Sequence, residues 1–275
     1  MQAVVNYVKD SGNGVVPFVL DFGWTGVQSE PTKVEIEDAR DISSELSLDK
    51  QGFVLSRVIS GVTDYQDQQQ IEQRWIPAVT DMVKRVTGAK WVVAWAHNTR
   101  FSDNIDAAKS TDVAAPARNI HSDLDVTFDP MTLHTQPHGR NAADEIKRRL
   151  GNTAPRRWRT FNVWQQISPP PQDIPLTVCD ISSVSSEDIL RGEGTDGTPE
   201  SPIFKLSFFQ KNPEHRWYYF SNMLPGEAII FSGINPLEKN AYGRVPHTAF
   251  DLPDMPLNAV PRSSIEIRTL AIFEE

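Results

Sequence analysis

The sequence predicts a mainly β fold with flanking helices (α+β), in which a double-stranded β-helix (jelly roll, cupin-like) core carries a helical N-terminal part. Three observations predict this fold: repeated short apolar runs, the turn residues that separate them, and the absence of a linker or internal repeat. From residue 158 onward many short apolar runs follow one another, and proline, glycine or asparagine separates them. This spacing is typical of double-sheet jelly rolls. As a third observation, no linker or internal repeat divides the chain, so we expect a single domain over residues 1–275, with 1–115 packing on a core of 116–275.

The N-terminal part begins with short apolar runs that alternate with turn residues. These runs predict strands at 15–20, 33–37 and 52–55. Over residues 69–86 apolar side chains recur at three- and four-residue spacing, and Gly88 supplies a stop signal, so this segment predicts a helix. Residues 90–96 are β-branched and aromatic and predict a buried strand, whereas the polar, alanine-rich stretch 103–117 predicts a loop or a short helix.

The second half contains one further helical pattern and then strands. Residues 142–150 predict a short helix with Asn141 as its N-cap and Gly151 at its end. The glycine-rich stretch 192–199 predicts a mobile surface loop. The predicted strands of the roll are 159–165, 175–179, 204–209, 215–221, 227–231, 248–250 and 264–273.

Charge and composition exclude several classes of function. The net charge of −9 argues against a nucleic-acid partner, because nucleic-acid binding depends on a basic face. A single cysteine, Cys179, excludes an intrachain disulfide and any all-cysteine metal site, and its apolar neighbours predict that it is buried. No apolar run is long enough to span a membrane, and residues 1–6 do not resemble a signal peptide. We therefore expect a cytoplasmic protein with a small-molecule partner and no membrane partner, with a homodimer left open.

The stretch around His121 carries the first chemical signal. Alternate residues of a strand point to the same face, so the His121 imidazole and the Asp123 carboxylate can reach one metal ion. Two histidines and one carboxylate with open coordination positions form the facial triad of non-haem iron oxygenases. His247, late in the predicted roll, is the best candidate for the second histidine, since a jelly roll brings early and late strands side by side.

A second signal lies 15 residues beyond His247. Arg262 can hold a carboxylate through two parallel hydrogen bonds, and the hydroxyl of Ser264 points the same way along a strand. This pair is suited to the distal carboxylate of 2-oxoglutarate. Arg268 on the same strand is a competing candidate for that role. Asn162 stands out as a polar residue within an apolar strand, which needs a specific partner if it is buried.

These features occur together with several further motifs in one order along the chain. The set resembles the CmcJ/AsaB/NvfI-like tailoring oxygenases of secondary metabolism, from about residue 33 to the C-terminus. The residues that carry the resemblance are Gly52-Phe53-Val54-Leu55, His97-Asn98-Thr99-Arg100, His121-Ser122-Asp123, Asn162-Val163-Trp164, His215-Arg216-Trp217-Tyr218, Pro246-His247-Thr248 and Arg262-Ser263-Ser264.

The resemblance implies a double-stranded β-helix and a single oxygenase domain that uses Fe(II), 2-oxoglutarate and O2 to modify a small-molecule metabolite. It implies His121, Asp123 and His247 as iron ligands and Arg262 with Ser264 as the cosubstrate-carboxylate site. Asn162 and Tyr218 match family positions near the pocket. The reaction stays open between hydroxylation, desaturation and cyclisation or rearrangement.

Two other functions remain as alternatives at this point. One is a metal-dependent oxidase or cupin-type enzyme that uses the same triad without 2-oxoglutarate. The other is a non-catalytic jelly-roll binding module in which the HxD triplet is incidental. Stoichiometric metal binding would exclude the binding module. A role for Arg262 in cosubstrate binding would exclude the oxidase that works without 2-oxoglutarate.

Overall fold

The computed structural model describes residues 1–21, 24–102, 113–136, 138–200, 203–237 and 244–273. Within these ranges the chain forms two β-sheets, which confirms the prediction of a mainly β protein. The large sheet has nine strands in the order β1-β3-β12-β9-β14-β7-β11-β10-β2, and the small sheet has six in the order β4-β13-β8-β15-β5-β6. The strands are β1 Gln2–Val8, β2 Val15–Val19, β3 Ser29–Asp38, β4 Phe53–Arg57, β5 Trp91–Phe101, β6 Val113–Ala114, β7 His121–Ser122, β8 Trp158–Gln166, β9 Leu176–Cys179, β10 Ile189–Thr195, β11 Phe204–Phe209, β12 Trp217–Tyr219, β13 Glu227–Ser232, β14 His247–Ala249 and β15 Ser263–Ile272.

The large sheet is curled. Its two edge strands, β1 and β2, are joined by only six residues, 9–14. A flat sheet of nine strands would be roughly 38 Å wide at the usual strand spacing, whereas this connection reaches about 25 Å when fully extended. The sheet therefore bends until its edges approach each other, and its concave face forms one wall of the protein interior.

The two sheets pack against each other through apolar side chains. Phe53, Trp164 and Phe231 of the small sheet contact Leu176 and Val178 of the large sheet in one buried cluster. Strand β8 lies in the middle of this arrangement, between β13 and β15, and its side chains are buried on both faces. A strand in this position can hold polar side chains only where they find partners.

A helical segment covers the outer face of the small sheet. Helix α1 (Gln68–Gln70) continues through a π-helical turn (Ile71–Trp75) into α2 (Ile76–Thr87), which matches the predicted helix 69–86. Gly88 ends it in the left-handed conformation, with φ of 70°. The structure does not show a helical N-terminal part. The regular elements among the described residues before 103 are strands β1 to β5 and this one helical segment.

Helix α3 (Arg140–Leu150) begins earlier than the sequence predicts. Its N-cap is Gly139, so the prediction of Asn141 as the N-cap is wrong. A side chain at Gly139 would place its Cβ 2.0 Å from the carbonyl oxygen of Leu133, and this close approach sets the start of the helix where only glycine fits. The predicted end at Gly151 is confirmed.

The prediction of a surface loop at 192–199 is wrong over its first half, which belongs to strand β10. β10 pairs with β11 on one side and with β2 on the other. Gly192 and Gly194 face large side chains of the neighbouring strands, and a Cβ at Gly194 would lie 2.5 Å from ring atoms of Phe18 and Phe204. The glycines therefore make room for aromatic packing. The sequence prediction was a loop because a glycine-rich composition is typical of loops. The stretch 103–112 lies outside the described residues.

The predicted burial of the single cysteine is confirmed. Cys179 is a free, fully buried thiol, and burial raises its pKa to about 12. Within the ranges that the structure describes, no helix is both long and apolar enough to cross a membrane.

Candidate metal centre

The structure brings His121, Asp123 and His247 together. One possible ligand atom from each side chain lies within 4.8 Å of the other two. Strand β7 pairs with β14 so that His121 and His247 are direct antiparallel neighbours, and their ring centroids are 4.4 Å apart. Both imidazoles are buried, with exposures of 4% and 6%. The 126-residue separation in sequence is therefore closed by a single strand pair.

Each imidazole is oriented by a backbone carbonyl group two residues before it in the chain. His121 Nδ1 lies 2.8 Å from the carbonyl oxygen of Asn119, and His247 Nδ1 lies 3.1 Å from that of Val245. A carbonyl oxygen only accepts, so Nδ1 carries a proton in both rings and Nε2 is the ring atom that faces the other ligand candidates. Such a bond to the far ring nitrogen is the usual support of a metal-binding histidine.

Electrostatics keep the His121 ring neutral and Asp123 ionised. Burial and the neighbouring His247 lower the pKa of His121 to about 3. For Asp123 burial favours the neutral acid, but the Arg268 guanidinium and His247 outweigh it and hold the pKa well below its usual range. A neutral imidazole with a free lone pair and a charged carboxylate are the protonation states that metal binding requires.

The Asp123 carboxylate receives hydrogen bonds on both oxygens. Arg268 Nη2 donates to Oδ1 over 2.6 Å, and Asn162 Nδ2 donates to Oδ2. Oδ2 also lies 3.4 Å from His247 Nε2. Asn162 thus has the specific partner that its place in an apolar strand requires, and Arg268 is already engaged by a carboxylate of the protein.

Arg262 lines a cavity that the two histidines also line. Its side chain is fully buried, with the guanidinium carbon 5.2 Å from the ring centre of Trp164. Nε donates to Ser264 Oγ over 3.2 Å and Nη1 donates to the carbonyl oxygen of Ile174 over 3.0 Å. Burial and nearby Arg100 lower the pKa of Arg262 to about 9, so the group is a cation at neutral pH.

Sequence reasoning missed a second charged pair in this cavity. Arg100 on β5 donates from Nε and Nη2 to Glu266 Oε1, over 3.0 and 2.6 Å, and both residues line the cavity beside Arg262. The only signal in the sequence was the polar run His97-Asn98-Thr99-Arg100 at the end of an apolar strand. The partner of Arg100 lies 166 residues away, and no local pattern indicates it.

The remaining predicted site residue, Tyr218, does not line the cavity of His121, His247 and Arg262. It packs on Phe53, with ring centroids 5.8 Å apart. A second cavity of about 190 Å³ adjoins Asp123 and His247 on the side of Asn162 and Phe231. The site that the structure assembles therefore contains six of the seven predicted residues, with Arg100, Glu266 and Arg268 in addition.

The donor set fits a divalent first-row metal ion. Two neutral imidazoles and one carboxylate on one side of the ion are the ligands of non-haem Fe(II) centres, and they leave open positions for other ligands. The buried cation of Arg262 in the same cavity adds a site for an anion. The arrangement can therefore hold a metal and an anionic small molecule that reaches both.

Comparisons with known proteins match nearly the whole chain to one group of oxidoreductases. Residues 5–272 match the model of a family described as "Oxidoreductase/YMDC permease-like domain". The chain is 31% identical to the Fe(II)/2-oxoglutarate-dependent dioxygenase nvfI of Aspergillus novofumigatus over 91% of this chain and 84% of that protein. It is 28% identical to the hydroxylase/desaturase efuI of Hormonema carpetanum over 100% of this chain and 96% of that protein.

A solved structure shows the same fold. The iron and alpha-ketoglutarate-dependent endoperoxidase NvfI superposes with a TM-score of 0.80 at 24% identity, over 100% of this chain and 98% of that one. At this identity the likeness concerns the fold alone. The sequence matches carry the relationship further: the chain belongs to the oxidoreductase family that contains these fungal Fe(II)/2-oxoglutarate-dependent dioxygenases and hydroxylase/desaturases.

Proposed function

We propose that this protein is an Fe(II)- and 2-oxoglutarate-dependent oxygenase that modifies a small-molecule metabolite, and that residues 1–275 form a single oxygenase domain with a double-stranded β-helix core. The observation that carries the proposal is the shared cavity. His121, His247 and the buried cation Arg262 all line it. Membership of a family with named relatives of this activity supports the same reading.

In this proposal Nε2 of both histidines and one oxygen of Asp123 hold the metal. Arg262 and Ser264 bind the distal carboxylate of 2-oxoglutarate. The hydrogen bond from Arg262 Nε to Ser264 Oγ places the cation and the hydroxyl side by side. Arg268 is the weaker candidate for this carboxylate, because Asp123 occupies its Nη2. When bound, Fe(II) with 2-oxoglutarate and O2 supplies the oxidising chemistry.

The chain's own contribution is to orient the ligands and exclude water. Trp24 and Phe231 cover the imidazoles, with ring centroids 4.9 Å from His121 and 4.6 Å from His247. An apolar cover strengthens every charge interaction within the site and keeps reactive species away from solvent. Asn162 lines the second cavity beside Asp123 and His247, and we assign this side of the metal to the substrate.

The surroundings of the site fit a small-molecule substrate better than a macromolecule. Both cavities are narrow, and a net charge of −9 disfavours a nucleic acid. We propose a cytoplasmic enzyme with no membrane partner, and a homodimer is compatible with this assignment. Hydroxylation, desaturation and cyclisation are all within the reach of the same site, since they differ in the geometry of the bound substrate.

An anaerobic spectroscopic titration tests the proposal. Addition of Fe(II) and then 2-oxoglutarate is expected to produce the weak visible charge-transfer band of the metal chelate in the wild-type protein. The band is expected to be absent in His121→Ala at equal protein concentration. A folded wild-type protein that binds Fe(II) but gives no band would leave the triad without its cosubstrate, and the oxidase without 2-oxoglutarate would then be the better assignment.

A further inference from the structure

The Asp123 carboxylate differs from the two histidines in how it is held. Strand β7 ends at Ser122, so Asp123 follows the strand and its direction is not set by strand pairing. Its side chain is instead held by two residues of the opposite sheet, Asn162 on β8 and Arg268 on β15. These two residues are direct neighbours in the antiparallel pairing of their strands. A single position of the small sheet thus presents two donors to one carboxylate.

The two donors are not equivalent, because they bind different oxygens. Arg268 binds Oδ1, whereas Oδ2 is the oxygen that lies 3.4 Å from His247 Nε2 and receives the Asn162 amide. The metal-facing oxygen is therefore Oδ2. The bond from Arg268 is a charge-assisted one, with side-chain exposures of only 24% for Arg268 and 9% for Asp123. Such bonds are about twice as strong as neutral hydrogen bonds.

We propose that Arg268 and Asn162 are positioning residues that restrict Asp123 to binding the metal through one oxygen only, an inference that rests on the proposed metal centre. Arg268 keeps Oδ1 away from the metal, and Asn162 keeps Oδ2 directed towards it. With one ligand atom from each of three residues, about three positions of an octahedral ion stay open. A carboxylate that bound through both oxygens would take one of them.

The number of open positions matters for the chemistry. A 2-oxoglutarate bound to the metal through its keto acid would need two of these positions, and O2 would need another. If Asp123 took a further position, cosubstrate and O2 would compete for what remained. Arg268 therefore acts through Asp123 and needs no contact with the cosubstrate or the substrate.

Water counting on the Mn(II)-loaded protein tests this directly and needs no turnover. Mn(II) accepts the same oxygen and nitrogen ligands, and water-proton relaxation reports how many waters exchange on the bound ion. We expect about three exchangeable waters in the wild type and about two in Arg268→Met, a decrease of about one third. The Mn(II) affinity of Arg268→Met is expected to stay within about threefold of the wild type, because all three ligand residues are retained. Unchanged relaxation in Arg268→Met, or loss of its Mn(II) binding, would overturn the proposal.

Three further variants complete the design. Arg268→Lys keeps a cationic donor for Oδ1 and is expected to restore the wild-type water count. Asn162→Leu frees the metal-facing oxygen and is expected to weaken Mn(II) binding about 10–100-fold, as loss of a ligand's supporting partner does in other metal sites. Arg40→Met removes a comparable arginine pair, with Glu227 outside the site, and should change neither quantity.

These variants also keep the test decisive if Arg268→Met does not fold. An Mn(II) affinity in Asn162→Leu equal to that of the wild type would overturn the proposal independently. Failure of the proposed metal centre has a different signature, because the wild-type protein itself would then bind no Mn(II), and failure of the 2-oxoglutarate assignment alone would appear only as a missing charge-transfer band. A wild type that binds Mn(II) with variants that match it in water count and affinity would remove only the positioning roles.

Discussion

His121 and His247 face each other across one antiparallel strand pair, and each ring is oriented by the carbonyl oxygen of the residue two positions before it in the chain. The histidine pair is therefore assembled from backbone geometry alone. Asp123 is the ligand candidate that depends on side chains of the other sheet. We therefore expect different effects from substitutions of the histidines and from substitutions of the side chains that hold Asp123.

Replacement of His247 by alanine should abolish metal binding. The change removes one of the three donor atoms and leaves the oriented His121 without its partner. We expect Fe(II) affinity to fall by more than the roughly 10–100-fold that loss of a supporting partner costs. Metal content after anaerobic dialysis against Fe(II) measures this. His134→Ala changes an exposed histidine and should retain full metal content; equal loss in both variants would contradict the assignment.

Replacement of Arg262 by methionine should raise the KM for 2-oxoglutarate. A hydrogen bond to a charged group contributes about 1.5–3 kcal/mol, which corresponds to a factor of roughly 10–100. The matched control is Arg216→Met, because Arg216 bonds Asp180 and lines neither cavity that the described residues form. Steady-state succinate production at varied 2-oxoglutarate measures both. An unchanged KM in Arg262→Met would mean that another group holds the distal carboxylate.

The stability of the protein should fall as the pH decreases below about 6.5, in part because of His215. Its side chain is fully buried between Asp188 and Tyr7, at 3.1 and 3.0 Å, and burial lowers its pKa although Asp188 opposes this. As the pH falls, His215 takes up a proton in the unfolded chain before it does so in the folded protein. The contribution of neutral His215 to stability is therefore complete above the unfolded pKa and is lost as the pH falls below it. The slope from one such group is at most about 1.4 kcal/mol per pH unit.

Urea unfolding at pH 7.5 and 5.5 measures this effect. The wild type should lose more unfolding free energy between the two pH values than His215→Gln does, since glutamine does not titrate. His134→Gln, at an exposed position, should show the wild-type difference. A His215→Gln protein with the same pH dependence as the wild type would show that other groups account for the loss.

Replacement of Gly194 by alanine should destabilise the fold without affecting metal binding. The new methyl group would approach the rings of Phe18 and Phe204 to 2.5 Å, and these rings are held in an aromatic cluster. Overpacking of this kind costs about 1–3 kcal/mol, measurable as a lower Tm. Glu193→Ala on the same strand is the control. Equal melting temperatures for Gly194→Ala and the wild type would show that the rings move aside freely.

The parts of the site that the sequence predicts are those with a local pattern. The two-residue spacing of His121 and Asp123 indicated a shared ligand position, although β7 ends at Ser122 and side chains of the other sheet, not a common strand face, direct Asp123 there. The spacing of Arg262 and Ser264 indicated the pair whose side chains bond. The contacts of Arg100 with Glu266 and of Arg268 with Asp123 join strands that are distant in sequence. They depend on strand register, which no periodicity in a single strand determines.

The fold shows the same division. The apolar periodicity of 69–86 and the β-branched runs around β5, β8 and β15 predicted their elements correctly, because burial follows the pattern there. Strand β10 was missed because its glycines match a loop in composition, while aromatic side chains of β2 and β11 impose the extended conformation. Tertiary packing there overrides local preference.

The short connection between β1 and β2 also bears on how the protein behaves among other copies of itself. Asp10 Oδ1 accepts the backbone N–H groups of Gly12 and Gly14, so this turn is a compact, hydrogen-bonded unit at the open margins of the large sheet. Unpaired strand margins recruit strands from other chains and start aggregation. Loss of residues 1–8 would uncover the hydrogen-bonding groups of β3 that β1 now satisfies. The first strand, far in sequence from the metal ligands, therefore keeps the margin of β3 from pairing with other chains.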